Sequence, residues 1–343
     1  MSYRPDKILP LAAFLLLLAA SLTGCGGYVA RRMAQAPNTY PTWFAPRAPV
    51  ILCFNEQFFT NMPTHDVAVG SPRLRLHYRI VEPLDYHFAV TSSNWLDHGK
   101  SRFQFNFHAD APGQSNAWTG KPRGTVVLLH GYGVAQFAMA PWAVRLAQEG
   151  WRCVLVDLRG HGKSTGNRIY FGTRETQDMS QLLDALAERG DLVQPVAAIG
   201  ESYGAALALR WKGVDPRVGA VVAIAPYAVL SNAVLNICHE YAHWMPLAIP
   251  KAGLKRLPEL LGVSPDELDP VAVMAAHPVT ALFIAGGQDA IAPPADVRKV
   301  FAAAGPASEY IVVPAATHET VPYFFDALSD PVLAWLGRGT EVK

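Results

Sequence analysis

An open, mostly parallel β-sheet with helices on both faces is the fold class this sequence predicts, and three observations carry it. Short, nearly continuous apolar runs recur from residue 125 onward, stretches of helical character alternate with them, and no internal repeat is visible. Strands that are apolar at every position are buried on both faces. Alternating β and α elements then imply a parallel sheet, and right-handed crossovers leave few topologies.

The runs are Thr125–His130, Trp151–Leu158, Gln194–Gly200, Val218–Pro226, Thr280–Gly287 and Glu309–Pro314. Helix-like stretches fall at Gln136–Gly150, Arg174–Arg189, Ser202–Lys212 and Pro293–Ala304. Ahead of them, Arg73–Val81 and Arg102–Asp110 nearly alternate in polarity, which suits antiparallel strands at a sheet edge. Residues 227–279 break the rhythm between two strands, and that is where a short cap insertion is expected.

Half of the 343 residues are hydrophobic and 17% are charged, a globular composition. A formal net charge of +1 with no Lys/Arg cluster excludes the basic field that a phosphate backbone needs, so nucleic acid is not an expected partner.

The chain opens with Arg4 and Lys7 ahead of an apolar stretch from Ile8 to Leu22, the layout of a signal peptide. The tetrapeptide LTGC, Leu22–Cys25, resembles the bacterial lipobox. The resemblance implies cleavage after residue 24 and lipidation of Cys25, and Gly26 after the cysteine points to the outer membrane in a Gram-negative cell. An uncleaved helix is the alternative, because Ile8–Val29 just reaches the roughly 20 residues that span a bilayer. Removing residues 1–24 takes away Arg4, Lys7 and Asp6 and leaves a formal charge of zero, so the anchor is lipid without polybasic help.

Export leaves Cys53, Cys153 and Cys238, enough for one disulfide at most. Cys153 sits in an apolar run as a core residue, and a Cys53–Cys238 pair stays open. Residues 25–64, with five prolines and no periodicity, read as a tether that packs in part on the domain spanning 65–343.

Chemistry in an open parallel sheet collects at the carboxyl ends of strands. GESYG, Gly200–Gly204, follows an apolar run and precedes a helix, the context of a G-x-S-x-G nucleophile elbow at Ser202. LLHGYG ends the first buried run, and with it the chain resembles the α/β-hydrolase superfamily. The resemblance implies an oxyanion hole built from the backbone N–H groups of Tyr132 and Tyr203. It also implies a triad acid at Asp289 in FIAGGQDAIAPP and a general base at His318 in IVVPAATHET. The order Ser202, Asp289, His318 is the order of that fold.

DLRGHGKSTG resembles a structural loop of the same superfamily, so His161 is a poor candidate for the base. Its likeness to a P-loop fails because Asp157 stands where glycine is required. HEYAH, His239–His243, matches a zinc-binding pattern but lacks the third ligand of the metzincins, and cap packing is the simpler reading.

Within the superfamily the chain is most similar to bacterial serine hydrolases grouped with lysophospholipases, monoacylglycerol lipases and serine aminopeptidases. The resemblance covers Thr125 to about Leu336. It implies a membrane-anchored hydrolase of carboxylic esters that acts through an acyl-enzyme on a small or lipid-like ester, with no cofactor. A peptidase with the same triad is the alternative, followed by a non-catalytic binding lipoprotein and a zinc peptidase. Val229, Leu230, Leu235, Trp244, Met245 and Leu247 are expected to wall an apolar acyl pocket, while Glu201 and Glu240 are candidates to hold a peptide amine.

Overall fold

The computed structural model describes residues 26–39, 50–54, 62–97, 100–110 and 120–339. The lipobox with Cys25 lies outside the described residues. Among those described, no helix is long and apolar enough to cross a membrane.

Eleven strands and eight labelled α-helices build the described fold. The strands are β1 (Val50–Phe54), β2 (Thr64–Val69), β3 (Leu74–Val81), β4 (His87–Asp97), β5 (Lys100–Asp110), β6 (Thr125–Leu129), β7 (Arg152–Asp157), β8 (Val196–Glu201), β9 (Val218–Ile224), β10 (Leu282–Gly286) and β11 (Glu309–Val313). The helices are α1 (Ala140–Gln148), α2 (Glu175–Glu188), α3 (Tyr203–Val214), α4 (Leu230–Tyr241), α5 (Ala248–Leu261), α6 (Pro270–Ala276), α7 (Pro294–Ala302) and α8 (Phe325–Gly339).

Eight strands form one sheet in the order β11-β10-β9-β8-β6-β7-β3-β2. The six from β6 onward are parallel, and β3 and β2 extend the sheet antiparallel. The continuous apolar runs serve both faces. In β6, Val127 and Leu129 point to one core while Val126 and Leu128 point to the other, and β7 divides Val154 and Val156 from Cys153 and Leu155 in the same way. Helices α2, α3 and α7 cover the first face through residues such as Leu182, Trp211 and Val297, and α1 and α8 cover the second through Trp142 and Leu336.

The chain leaves β6 for β7 on one side and returns to β8 on the other, which makes the β6/β8 pair a topological switch point. A crevice opens at the carboxyl ends of such a pair. Leu129 is paired with Gly200 there, so the turn after β6 lies beside the turn after β8.

Two expectations need adjustment. Arg73–Val81 joins the main sheet, but Arg102–Asp110 belongs to a separate sheet, β1-β5-β4. Its alternation packs Phe103, Phe105 and Phe107 onto the α1/α8 side, with the Phe105 ring 4.9 Å from that of Tyr323, instead of extending the main edge. Residues 26–33, within the expected tether, are helical, and Ala30, Ala34 and Ala36 are fully buried. The segment is sewn to the loop after β7, because Ala34 O accepts the Ile169 N–H at 2.9 Å and Asn38 N–H donates to Gly160 O at 3.1 Å. Cys238 is a buried free thiol, so the Cys53–Cys238 pair is not formed.

Candidate active site

Ser202 stands between β8 and α3 with φ 51° and ψ −108°, a conformation that costs a non-glycine residue energy. Its two flanking glycines make that turn possible. A Cβ on Gly200 would lie 2.1 Å from Gly204 O, and one on Gly204 would lie 2.2 Å from Leu129 O. Strand and helix therefore approach at backbone distance and project the serine hydroxyl from the sheet end.

Asp289 and His318 arrive on the loops after β10 and β11. The two loops are bonded to each other, since Gly287 N–H donates to Val313 O at 2.8 Å and Gln288 N–H to Ala316 O at 2.9 Å. His318 Nε2 is 2.9 Å from Ser202 Oγ, and its Nδ1 is 2.8 Å from Asp289 Oδ2. The other Asp289 oxygen, Oδ1, accepts the N–H groups of Ile291 at 2.8 Å and Ala292 at 2.7 Å. Burial alone would pull the His318 pKa down. The hydrogen bond and charge of Asp289, helped by Glu319 and Glu201, more than offset this and raise it above the ordinary 6.5.

Tyr132 lies in the turn after β6, and Tyr203 is the first residue of α3, where an amide has no intrahelical partner. The turn at Tyr132 is held by a residue whose role the sequence did not disclose. His130 Nε2 accepts the Leu158 N–H at 3.0 Å, which places the ring proton on Nδ1, and that N–H donates to Gly131 O at 2.8 Å. Burial lowers the His130 pKa and keeps the ring neutral, as this pair of bonds requires. A sequence signal existed, because the histidine is part of the His-Gly pair.

Glu201 comes with the elbow. A Cβ on Gly131 would lie 3.4 Å from Glu201 Oε1, while Oε2 has no hydrogen-bond partner among the described residues. Burial raises its pKa to about 7, against a smaller opposing pull from His318. Glu240, the other acid considered for an amine, is exposed on α4.

The remaining motif residues do other work. His161 is buried, its pKa lowered to about 3 by burial and by His130, and its Nδ1–H donates to Arg159 O at 2.9 Å. Its ring packs against Tyr203 at 5.8 Å and Tyr132 at 6.0 Å. Asp157 accepts the N–H groups of Gln136 and Lys163, each at 2.9 Å, and Arg159 clamps Asp178 in α2 with bonds of 2.8 and 2.7 Å. In HEYAH, α4 ends at Tyr241 and Ala242 leaves helical geometry at φ −138°, ψ 41°. His239 and His243 therefore do not share a helix face, and both are exposed.

The expected acyl-pocket wall is corrected in part. Leu230 is buried in the core, and Val229, Leu235 and Met245 are half-buried, but Leu247 is exposed and Trp244 is 78% exposed. The chain turns sharply after α4, which aims those two side chains outward. Tyr241, at the end of α4, donates from its hydroxyl to Glu319, the neighbour of His318.

A strained serine, an imidazole and a buried carboxylate meet at the ends of β8, β11 and β10, on one edge of a switch-point sheet. The chain has the α/β-hydrolase fold, and part of it is similar to serine hydrolases of that fold. Residues 120–271 match the family model described as serine aminopeptidase, S33. Among curated proteins, an uncharacterized protein of Bacillus subtilis, YqkD, is 25% identical over 193 residues. That match spans 54% of this chain and 62% of the relative, less than two-thirds of its length.

Solved structures share the fold. An esterase from Pyrococcus furiosus superposes with a TM-score of 0.60 at 20% identity, covering 82% of this chain and 94% of its own. A hydrolase from Pseudomonas aeruginosa gives 0.52 at 19% identity, covering 81% and 98%.

Proposed function

We propose that the protein is a membrane-anchored hydrolase of carboxylic esters that works through Ser202, His318 and Asp289. One observation carries the reading: a single imidazole lies within hydrogen-bond reach of a strained serine on one side and a buried carboxylate on the other.

A neutral hydroxyl is a weak nucleophile, so it needs a base in contact. His318 Nε2 takes the Ser202 proton as Oγ bonds to the ester carbonyl carbon, and Asp289 stabilises the imidazolium. The carbonyl electrons move onto oxygen, where the N–H groups of Tyr132 and Tyr203 receive the charge. His318 then gives its proton to the departing alcohol and leaves an acyl-serine. Water, deprotonated by the same ring, releases the acid and restores Ser202. This sequence needs no metal or organic cofactor.

The cap is assigned to residues 227–279, with α4, α5 and α6 as its helices. Lipid on Cys25 would hold the enzyme at a membrane, where an acyl ester is at hand. A peptidase remains the second reading, supported by the family description over residues 120–271.

Screening the purified protein on p-nitrophenyl esters of graded chain length and on aminoacyl-p-nitroanilides separates the two. Ester turnover well above anilide turnover is expected. Preferential cleavage of anilides would replace the ester reading with the peptidase.

A further inference from the structure

The turn between α4 and α5 is unusual for a protein surface. Ile237, Tyr241, Trp244, Leu247 and Ile249 are all exposed, and Pro246 joins them. Scattered apolar residues on a surface are ordinary, but here Trp244, Pro246 and Leu247 in the turn are joined by Ile237 and Tyr241 at the end of α4 and Ile249 at the start of α5, and such a group marks an interaction site.

The course of the chain says what covers it. The described fold begins at Gly26, which lies on α5: a Cβ there would sit 2.9 Å from Ala252 O and 3.5 Å from Arg256 Cγ. Val29 packs on Gly253 of the same helix. Ile249 is four residues before Gly253, so it shares that helix face about one turn away, roughly 6 Å along the axis. Tyr28, on the same segment, is exposed beside them. Gly26 therefore lies on the helix that follows the apolar turn, about one helical turn from Ile249.

Charge fits the same occupant. Exposed Arg31 on the N-terminal helix and Lys251 and Lys255 on α5 stand against Glu240, while Arg256 and Glu259 pair with each other at 3.1 Å. An apolar face rimmed by Lys and Arg is the pattern of a helix that lies in the headgroup region of an anionic bilayer.

We infer that the α4/α5 turn is a bilayer-docking surface, seated by the anchored N-terminal segment beside it, with Trp244, Leu247 and Ile249 entering the lipid headgroup region. The inference rests on the anchored-hydrolase reading and adds an orientation to it. Tyr241 ties this turn to Glu319, so docking sets the end of the cap nearest His318 against the membrane that holds the substrate.

The test uses the full lipidated chain in vesicles of phosphatidylethanolamine and phosphatidylglycerol. An environment-sensitive fluorophore is placed at W244C and, separately, at E188C, which ends α2 at the far end of the sheet. The unsubstituted chain is labelled in parallel as the blank. Blue-shifted emission quenched by brominated lipid is expected at W244C and not at E188C.

Water-like emission at W244C in vesicle-bound protein overturns the inference, as does a shift that follows protein concentration without vesicles, which would make a second copy the occupant. A shift in protein that floats free of vesicles until they are added would keep the docking surface and remove the anchor. In the same vesicles, W244E with L247E should hydrolyse a soluble short-chain p-nitrophenyl ester as the unsubstituted chain does. Turnover of a long-chain ester embedded in the bilayer should fall about tenfold. If the unsubstituted chain has no esterase activity while W244C still enters the bilayer, the functional reading fails and the docking surface stands.

Discussion

Asp289 divides its carboxylate between its own loop and His318: Oδ1 takes two backbone amides, and Oδ2 takes the imidazole at 2.8 Å. The amides leave the carboxylate no freedom to turn away, so the ring is oriented by a group that is itself fixed. Asp289→Asn keeps the shape but presents an amide to Nδ1, which favours the wrong tautomer. A loss of kcat of about 10^3 to 10^4 with little change in KM is expected from ester kinetics. A loss confined to KM would mean that Asp289 contacts substrate instead.

His130 acts through the turn it holds. His130→Ala removes the acceptor for the buried Leu158 N–H and frees the Gly131 carbonyl, which should cost about 1–3 kcal/mol in thermal or urea unfolding. The turn that carries Tyr132 then loosens, so kcat should fall by about 10- to 100-fold beyond any loss of folded protein. Unchanged kcat in the folded fraction would show that the turn does not need this ring.

Glu201 links activity and stability to pH. Its folded pKa of about 7 exceeds the 4.5 of the free side chain. Between those values the folded state binds more protons than the unfolded one, so this group's contribution to stability is complete below pH 4.5 and is lost as pH rises through about 7. Glu201→Gln removes that loss and should be more stable to unfolding than the unsubstituted protein at pH 8, by about 1–3 kcal/mol. Because the Glu201 charge also supports the His318 imidazolium, the acid limb of kcat/KM should move to lower pH in the variant. An unmoved limb would mean that the carboxyl does not sense the reacting ring.

Much of this site was legible because motif and topology coincide. Ser202, Asp289 and His318 each follow an apolar run, and a parallel sheet brings the ends of its runs to one edge. His130, Glu201 and Tyr241 were harder to read, since their roles depend on which loops meet across the sheet. His130 works only because Leu158, at the end of the neighbouring strand, offers its amide. The polarity of Arg102–Asp110 gave the strand correctly but could not assign it to a sheet, as alternation records one buried face and not what covers it. Trp244 was placed in a pocket from its hydrophobicity alone, and the turn after α4 sends it outward.

The central claim is that Ser202 is the nucleophile, and the most direct measurement is covalent labelling by a fluorophosphonate followed by peptide mapping. Only an activated hydroxyl facing an oxyanion hole attacks the phosphorus readily. The adduct is expected on Ser202 and on no other serine, and Ser202→Ala should lose both the label and nearly all ester turnover while melting as the unsubstituted protein does. A folded protein that resists the reagent, together with a Ser202→Ala variant that still hydrolyses esters, would contradict the account.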